Sequence, residues 1–317
     1  MSGIQALRHG TAKGPRRTLS FDNRRHLTDV KLCGIVDGMA TLADKIALGP
    51  VGVWRHDPTP PELAAELEKL GYGALWLGNV SAADLDEVEP LLDATENLVV
   101  ATGIVNIWKI PADEAARAYH RIAAKHPDRF LLGVGAGHRE ATATYAQPFQ
   151  ALVDYLDALD ALDVPKERRA LAALGPRVLR LAGERTAGAH PYLVNAEHTR
   201  RAREVLGDGP LLAPEQKVVI GTDRAAVRAA GDPSVRRYLD LGNYVSNLRR
   251  LGFGDEDFVG MGSDRLFDAL IVHGDAAQVA AGLRAHLDAG ADHVTLQVVG
   301  EGDALPTYRA LAEALAF

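Results

Sequence analysis

The chain has 317 residues, 47% of them hydrophobic and 24% charged, a balance that excludes a disordered or fibrous protein. Lys and Arg number 35 against 42 Asp and Glu, so the formal charge of -7 gives no general attraction to nucleic acid or to an anionic membrane surface. The single cysteine, Cys33, excludes an internal disulfide, and no apolar run reaches the roughly 18 residues of a spanning helix, so a reducing cytoplasm is the expected compartment.

Residues 1–45 stand apart. From Met1 to Lys31 basic residues outnumber acids by five, which leaves the remainder of the chain at net -12, and Gly10, Gly14 and Pro15 interrupt any period. We expect a flexible basic N-terminal extension here, with Met39 as an alternative start, and one barrel domain over 46–317.

The remainder alternates strand and helix signals. Pro50–Arg55 reads as a first strand, followed by a helix at Pro61–Leu70 that Gly71 stops. Ala74–Leu77 precedes an acidic helical stretch broken at Pro90, Leu98–Val105 precedes a helix at Pro111–His126, and Phe130–Gly135 precedes one at Phe149–Leu162 with a wide apolar stripe. Further strands are expected at Arg169–Leu174, His190–Val194, Lys217–Ile220 and His293–Val299, separated by helices at Glu197–Leu206, around Ala225, at Tyr238–Arg250 and at Ala276–Ala289. Short, nearly continuous apolar runs suit parallel strands covered on both faces. Eight of them alternating with helices predict an α/β fold, a (β/α)8 TIM barrel, in preference to a doubly wound open sheet.

The familiar motifs mostly exclude. There is no P-loop, no H-E-x-x-H and no G-x-S-x-G, and the 11 histidines are not paired at ligand spacing, so no metal-binding residue is assigned. Gly133-Val-Gly135-Ala-Gly137-His138 misses the dinucleotide fingerprint by one position, and its strand is fourth in order. In a barrel, chemistry belongs to the strand ends. At the third, Gly103 interrupts a β-run within Thr102-Gly103-Ile104-Val105-Asn106-Ile107-Trp108, a mark of a bulge or of close approach by a ligand, or of corner packing. At the fourth, the glycine-rich run ends in His138 near Glu140; at the fifth, Leu174-Gly175-Pro176-Arg177 opens a helix whose amide dipole suits an anionic oxygen; at the sixth stand His190 and Tyr192.

Taken together, ATGIVNIW, HPDRFLLGVGAGH, LAALGPRVLRLAGERTAGAHPYLV, YLDLGNYVSNLRRLGF and HLDAGADHVTLQVV resemble the luciferase-like flavin and deazaflavin oxidoreductases, above all the actinobacterial F420-dependent subfamily, from about Gly49 to Val299. The resemblance implies a luciferase-like barrel with an insertion, often a homodimer, holding coenzyme F420, or alternatively FMN, at its C-terminal face. It implies a non-proline cis peptide bulge near Thr102, Gly103 and Ile104 behind the ring. It also implies ring contacts from Asn79 and Asn106, and a seat for the tail and phosphate at Gly137, His138, Leu174, Gly175, Pro176 and Arg177. That phosphate seat departs from the commoner barrel position after strands seven and eight.

The expected chemistry is hydride transfer with a small organic substrate, the proton being handled by His138 or His56, with Glu140 and His190 behind them. Trp54, Trp76 and Trp108 are candidates for the substrate cavity wall. An FMN-dependent monooxygenase, a non-catalytic flavin-binding protein and a metal-dependent barrel hydrolase are the competing readings.

Overall fold

The computed structural model describes residues 46–78, 80, 84–139 and 146–316. The expected N-terminal extension, Cys33, Asn79 and Glu140 lie outside these residues.

Strands β1 (Val51–Arg55), β2 (Ala74–Leu77), β3 (Val99–Thr102), β5 (Phe130–Gly135), β6 (Arg169–Leu171) and β7 (Gly188–Ala189) pair in parallel, each with the next, while the short β4 (Val105–Asn106) extends the third position onto β5. The seventh position is the stretch 211–220, split by Ala213-Pro214 into β8 (Leu211–Leu212) and β9 (Glu215–Ile220). β8 pairs with β7, whereas β9 pairs with β11 (Val294–Val298), which returns to β1 in the register Val51↔Val294. One stretch of chain therefore carries the hydrogen bonds from the sixth strand to the eighth, and the ring closes. The fold is a (β/α)8 barrel.

Its sequence logic follows from both faces being covered. Outward-facing Val53, Leu75, Val100, Leu132 and Leu171 pack under the helices in one large apolar cluster. The inward set is different: Ala74, Ala101, Ala170, Ala187 and Ala213 pack with Val99, Leu131, Leu211 and Trp54 around Trp76, which is fully buried. Small side chains on the other strands leave the axial volume that the indole occupies.

Four expected elements need correction. The sixth strand is Gly188–Ala189, not His190–Val194, because Pro191 has no N–H to give a ladder and Leu193 turns away with φ 53. The expected third strand breaks at a cis peptide between Gly103 and Ile104. The two helices expected around Ala225 and over Tyr238–Arg250 are present as Arg224–Leu239 and Gly242–Arg250, the second starting later than expected because Leu241 is extended between them. Finally, β10 (Ile271–Gly274), which the sequence did not suggest, pairs with Lys217–Ile220 on the edge that β7 is too short to reach. The insertion between the seventh and eighth strands thus leaves from the end of β9 and comes back hydrogen-bonded to it.

A side-chain clasp secures the third and fourth positions. Thr102 Oγ1 accepts from Gly133 N and donates to Gly133 O, both at 2.8 Å. A Cβ at position 133 would stand 1.9 Å from Thr102 O, too close for the pairing to survive unchanged. Gly133→Ala is expected to cost about 1–3 kcal/mol of stability, read as a lower urea midpoint with an unchanged m-value.

Candidate functional site

The bulge at Gly103–Ile104 opens the floor of a cavity of about 470 Å³ at the C-terminal ends of the strands. Nine of the residues expected to contact the cofactor or to be first in handling the proton line it: His56, Gly103, Ile104, Asn106, Gly137, His138, Leu174, Gly175 and Arg177. They come from four separate strand-to-helix loops, and barrel closure is what brings them together.

Each is held in its own way. Asn106 Oδ1 accepts from Trp108 N at 3.0 Å, which turns the amide nitrogen toward Gly137, where a Cβ would meet it at 2.5 Å. Gly137 has φ 62, a conformation that glycine adopts without strain. His138 packs against Tyr238 and Tyr244, with ring centroids 6.1 and 5.4 Å away. Gly175 precedes Pro176 at the start of the helix Pro176–Arg185, which no side chain caps, and the Arg177 guanidinium lies 3.6 Å over the Phe149 ring.

Other expected residues fall elsewhere. Thr102 is absent from the cavity wall because its hydroxyl is engaged with Gly133, and Pro176 is exposed on the helix's first turn. Of the three tryptophans, Trp54 lines the cavity, Trp76 fills the barrel axis, and Trp108 donates from Nε1 to Ala136 O at 2.8 Å outside the wall.

The electrostatics of this wall are one-sided. Among the described residues it carries Lys109 and Arg177 and no carboxylate, in a chain whose net charge is -7. A second cavity, of about 530 Å³, sits at the ends of β1, β9 and β11; it shares Trp54 and His56 but is lined by Asp57, Glu301 and Asp303 with Arg55. The predicted residues and the cationic surface belong to the first. Among the described residues no group of three His, Cys, Asp or Glu side chains is placed to hold a metal ion, and no helix is long and apolar enough to cross a membrane.

Beneath Trp54 lies a polar cluster that the sequence reading did not identify. Lys217 Nζ donates to Glu215 Oε1 at 3.0 Å, to Tyr192 OH at 2.6 Å and to Gln297 Oε1 at 2.6 Å, and the Tyr192 hydroxyl donates to Gln297 Oε1 at 2.8 Å. Lys217 and Glu215 are 1% and 0% exposed. Burial lowers the Lys217 pKa and the Glu215 charge opposes that shift, while burial and then Glu215 push the Tyr192 phenol well up. The sequence signal existed: opposite charges two residues apart on one strand point to one face.

The barrel histidines have their tautomers set by their partners. His293 Nδ1 faces Gly49 O at 2.7 Å and therefore donates, leaving Nε2 to accept from Trp76 Nε1 at 3.2 Å. His190 Nδ1 donates to Ala213 O at 2.7 Å, and its ring stacks on Trp76 at 4.2 Å. Its Nε2 and Trp54 Nε1, both buried without a hydrogen-bond partner, converge beside Gly103.

No family model matches this chain, and no curated protein does. Solved structures do. An F420-dependent secondary alcohol dehydrogenase in complex with an F420–acetone adduct superposes with a TM-score of 0.66 at 14% identity, over 84% of this chain and 98% of that one. The coenzyme F420 dependent tetrahydromethanopterin reductase from Methanopyrus kandleri gives 0.63 at 14% identity, over 85% and 99%. The FMN complex of the oxygenating constituent of 3,6-diketocamphane monooxygenase from Pseudomonas putida gives 0.61 at 16% identity, over 83% and 96%. At such identities the likeness carries the fold, a luciferase-like (β/α)8 barrel.

Burial brings His190, His286 and His293 each down to about 4, from an ordinary value of 6.5. The unfolded chain therefore binds more protons than the folded one between those values. Stability is expected to hold above pH 6.5 and to fall as pH drops from there toward 4. Urea midpoints at pH 7.5 and 5 check this, the lower midpoint being expected at pH 5.

Proposed function

We propose that this chain is an oxidoreductase that binds the deazaflavin coenzyme F420 in the cavity floored by the Gly103–Ile104 bulge and acts on a small organic substrate. The observation that carries the reading is the pairing, in one cavity, of an apolar floor with the cations Lys109 and Arg177 and, among the described residues, no carboxylate in the wall of an acidic chain.

The residues fit such a group. A tricyclic ring needs a flat apolar wall, and Ile104, Ala136, Ala172 and Leu174 supply it. The backbone must approach closely, and Gly103 and Gly137 leave no Cβ in the way. Polar ring edges need donors, for which Asn106 and the unpartnered Trp54 Nε1 are placed. A tail phosphate needs a cationic seat, which Lys109, Arg177 and the uncapped helix start at Gly175 provide. When bound, a deazaflavin supplies hydride transfer with an organic partner. The chain's part is to hold ring and substrate together and to exclude water, with His138, His56 and Tyr192 lining the same space.

F420 is preferred over FMN on the sequence resemblance and on the likeness to the secondary alcohol dehydrogenase and the tetrahydromethanopterin reductase, both F420-dependent. The third, an FMN complex, supports a monooxygenase as the second reading. Titration of the purified protein with F420 and with FMN, followed over their visible bands, decides between them. Tighter binding of F420 is expected, and a folded protein that takes up neither overturns the proposal. Arg177→Ala is expected to weaken cofactor binding about tenfold or more, since it removes a charge-assisted contact to the tail.

A further inference from the structure

Tyr192 is a half-buried group in the wall of this cavity with a charged partner, Lys217, behind it. We infer that Tyr192 is the proton donor to the oxygen of a carbonyl substrate, that Lys217 is its positioning residue, and hence that the substrate class is small neutral ketones and aldehydes. This rests on the reading of the cavity as an oxidoreductase site.

Tyr192 lines the cavity, and its ring lies 5.0 Å from that of Trp54, beside the bulge. Its hydroxyl is held on two sides, accepting from Lys217 Nζ at 2.6 Å and donating to Gln297 Oε1 at 2.8 Å. The ammonium also lies 4.1 Å from the centroid of the Tyr192 ring. A buried ion pair such as Lys217 with Glu215 is costly, and an apolar pair of similar volume is often as stable or more so. Stability alone does not account for placing one at the mouth of an apolar barrel. A phenol that gives up its proton becomes an anion, and an ammonium already bonded to its oxygen stabilises that anion without rearrangement.

The cavity wall carries no carboxylate among the described residues, so a substrate oxygen gaining negative charge meets no like charge there. The imidazoles are less well prepared: His190 has Nδ1 committed to Ala213 O, and His56 is exposed.

Hydride from a reduced deazaflavin would form a C–H bond at the carbonyl carbon, and the C=O π pair would move to oxygen. The Tyr192 O–H turns from Gln297 Oε1, which Lys217 Nζ still satisfies at 2.6 Å, to the substrate oxygen, and that pair takes the proton as the phenol O–H bond breaks. The product is an alcohol, the deazaflavin is oxidised by two electrons, and the phenolate beside Lys217 regains a proton from water.

The test uses full-length protein, its Tyr192→Phe variant and the double variant Glu215→Gln with Lys217→Met, which removes both buried charges together and leaves neither unpaired. Each is first titrated with F420 and FMN; dissociation constants within about twofold of wild type are expected. Failure of the wild type at this stage sinks the oxidoreductase reading itself, and with it this inference.

Cofactor-loaded proteins then receive cyclohexanone as the probe, with binding followed by calorimetry and reoxidation of the reduced cofactor followed in the visible. Tyr192→Phe is expected to weaken cyclohexanone binding about three- to tenfold and to slow reoxidation by about 10²–10⁴-fold. The double variant is expected to keep cyclohexanone binding and lose rate alone, a split that general loosening of the site would not produce. Unchanged reoxidation in Tyr192→Phe, or wild-type protein that holds its cofactor but neither binds nor reduces cyclohexanone, overturns the inference.

Discussion

The site stands on Trp76. Its indole is stacked on His190 at 4.2 Å and donates to His293 at 3.2 Å, and it packs among the alanines of neighbouring strands with Leu131, Leu211 and Trp54. Because interiors are close-packed, a side chain of this size fixes the height of the layer above it. Trp54 and Tyr192 form part of that layer. The polar atoms of the plug depend on neutral imidazoles: protonating His293 would remove the lone pair that receives the indole N–H.

Above the plug, two cavities share a wall and differ in sign. One is lined by Lys109 and Arg177, the other by Asp57, Glu301 and Asp303 with Arg55, and Trp54 and His56 belong to both. Among the described residues, an anionic group would meet cations without a carboxylate in the first cavity and three carboxylates in the second. The Glu215–Lys217 pair lies beneath the boundary, linked through Tyr192 to the cationic chamber and through Gln297 to the acidic one.

The architecture was legible because a covered parallel strand leaves a compositional trace. Runs such as Ala74–Leu77 and Phe130–Gly135 are apolar on both faces, and both recur as strands at the expected residues. The loop glycines were legible for a related reason: Gly103 and Gly137 break the local propensity and so show that something other than propensity is being satisfied. What escaped was non-local. Lys217 beside Tyr192, and Tyr238 and Tyr244 against His138, are neighbours only once the ring has closed and the insertion has folded back. The sixth strand was misplaced because His190–Val194 is apolar enough to read as β, while Pro191 and the left-handed Leu193 make it a turn.

The insertion leaves and rejoins the ring along one strand. It departs after β9, contributes Tyr238, Asn243 and Tyr244 to the cavity, and rejoins through β10 along Lys217–Ile220. Away from that seam it is fastened to the rim by side chains, with Arg201 Nη1 on Arg250 O and the Tyr238 and Tyr244 rings on His138. A change in this excursion would therefore leave the ladder of the ring untouched and be felt first in the shape of the chamber that it roofs.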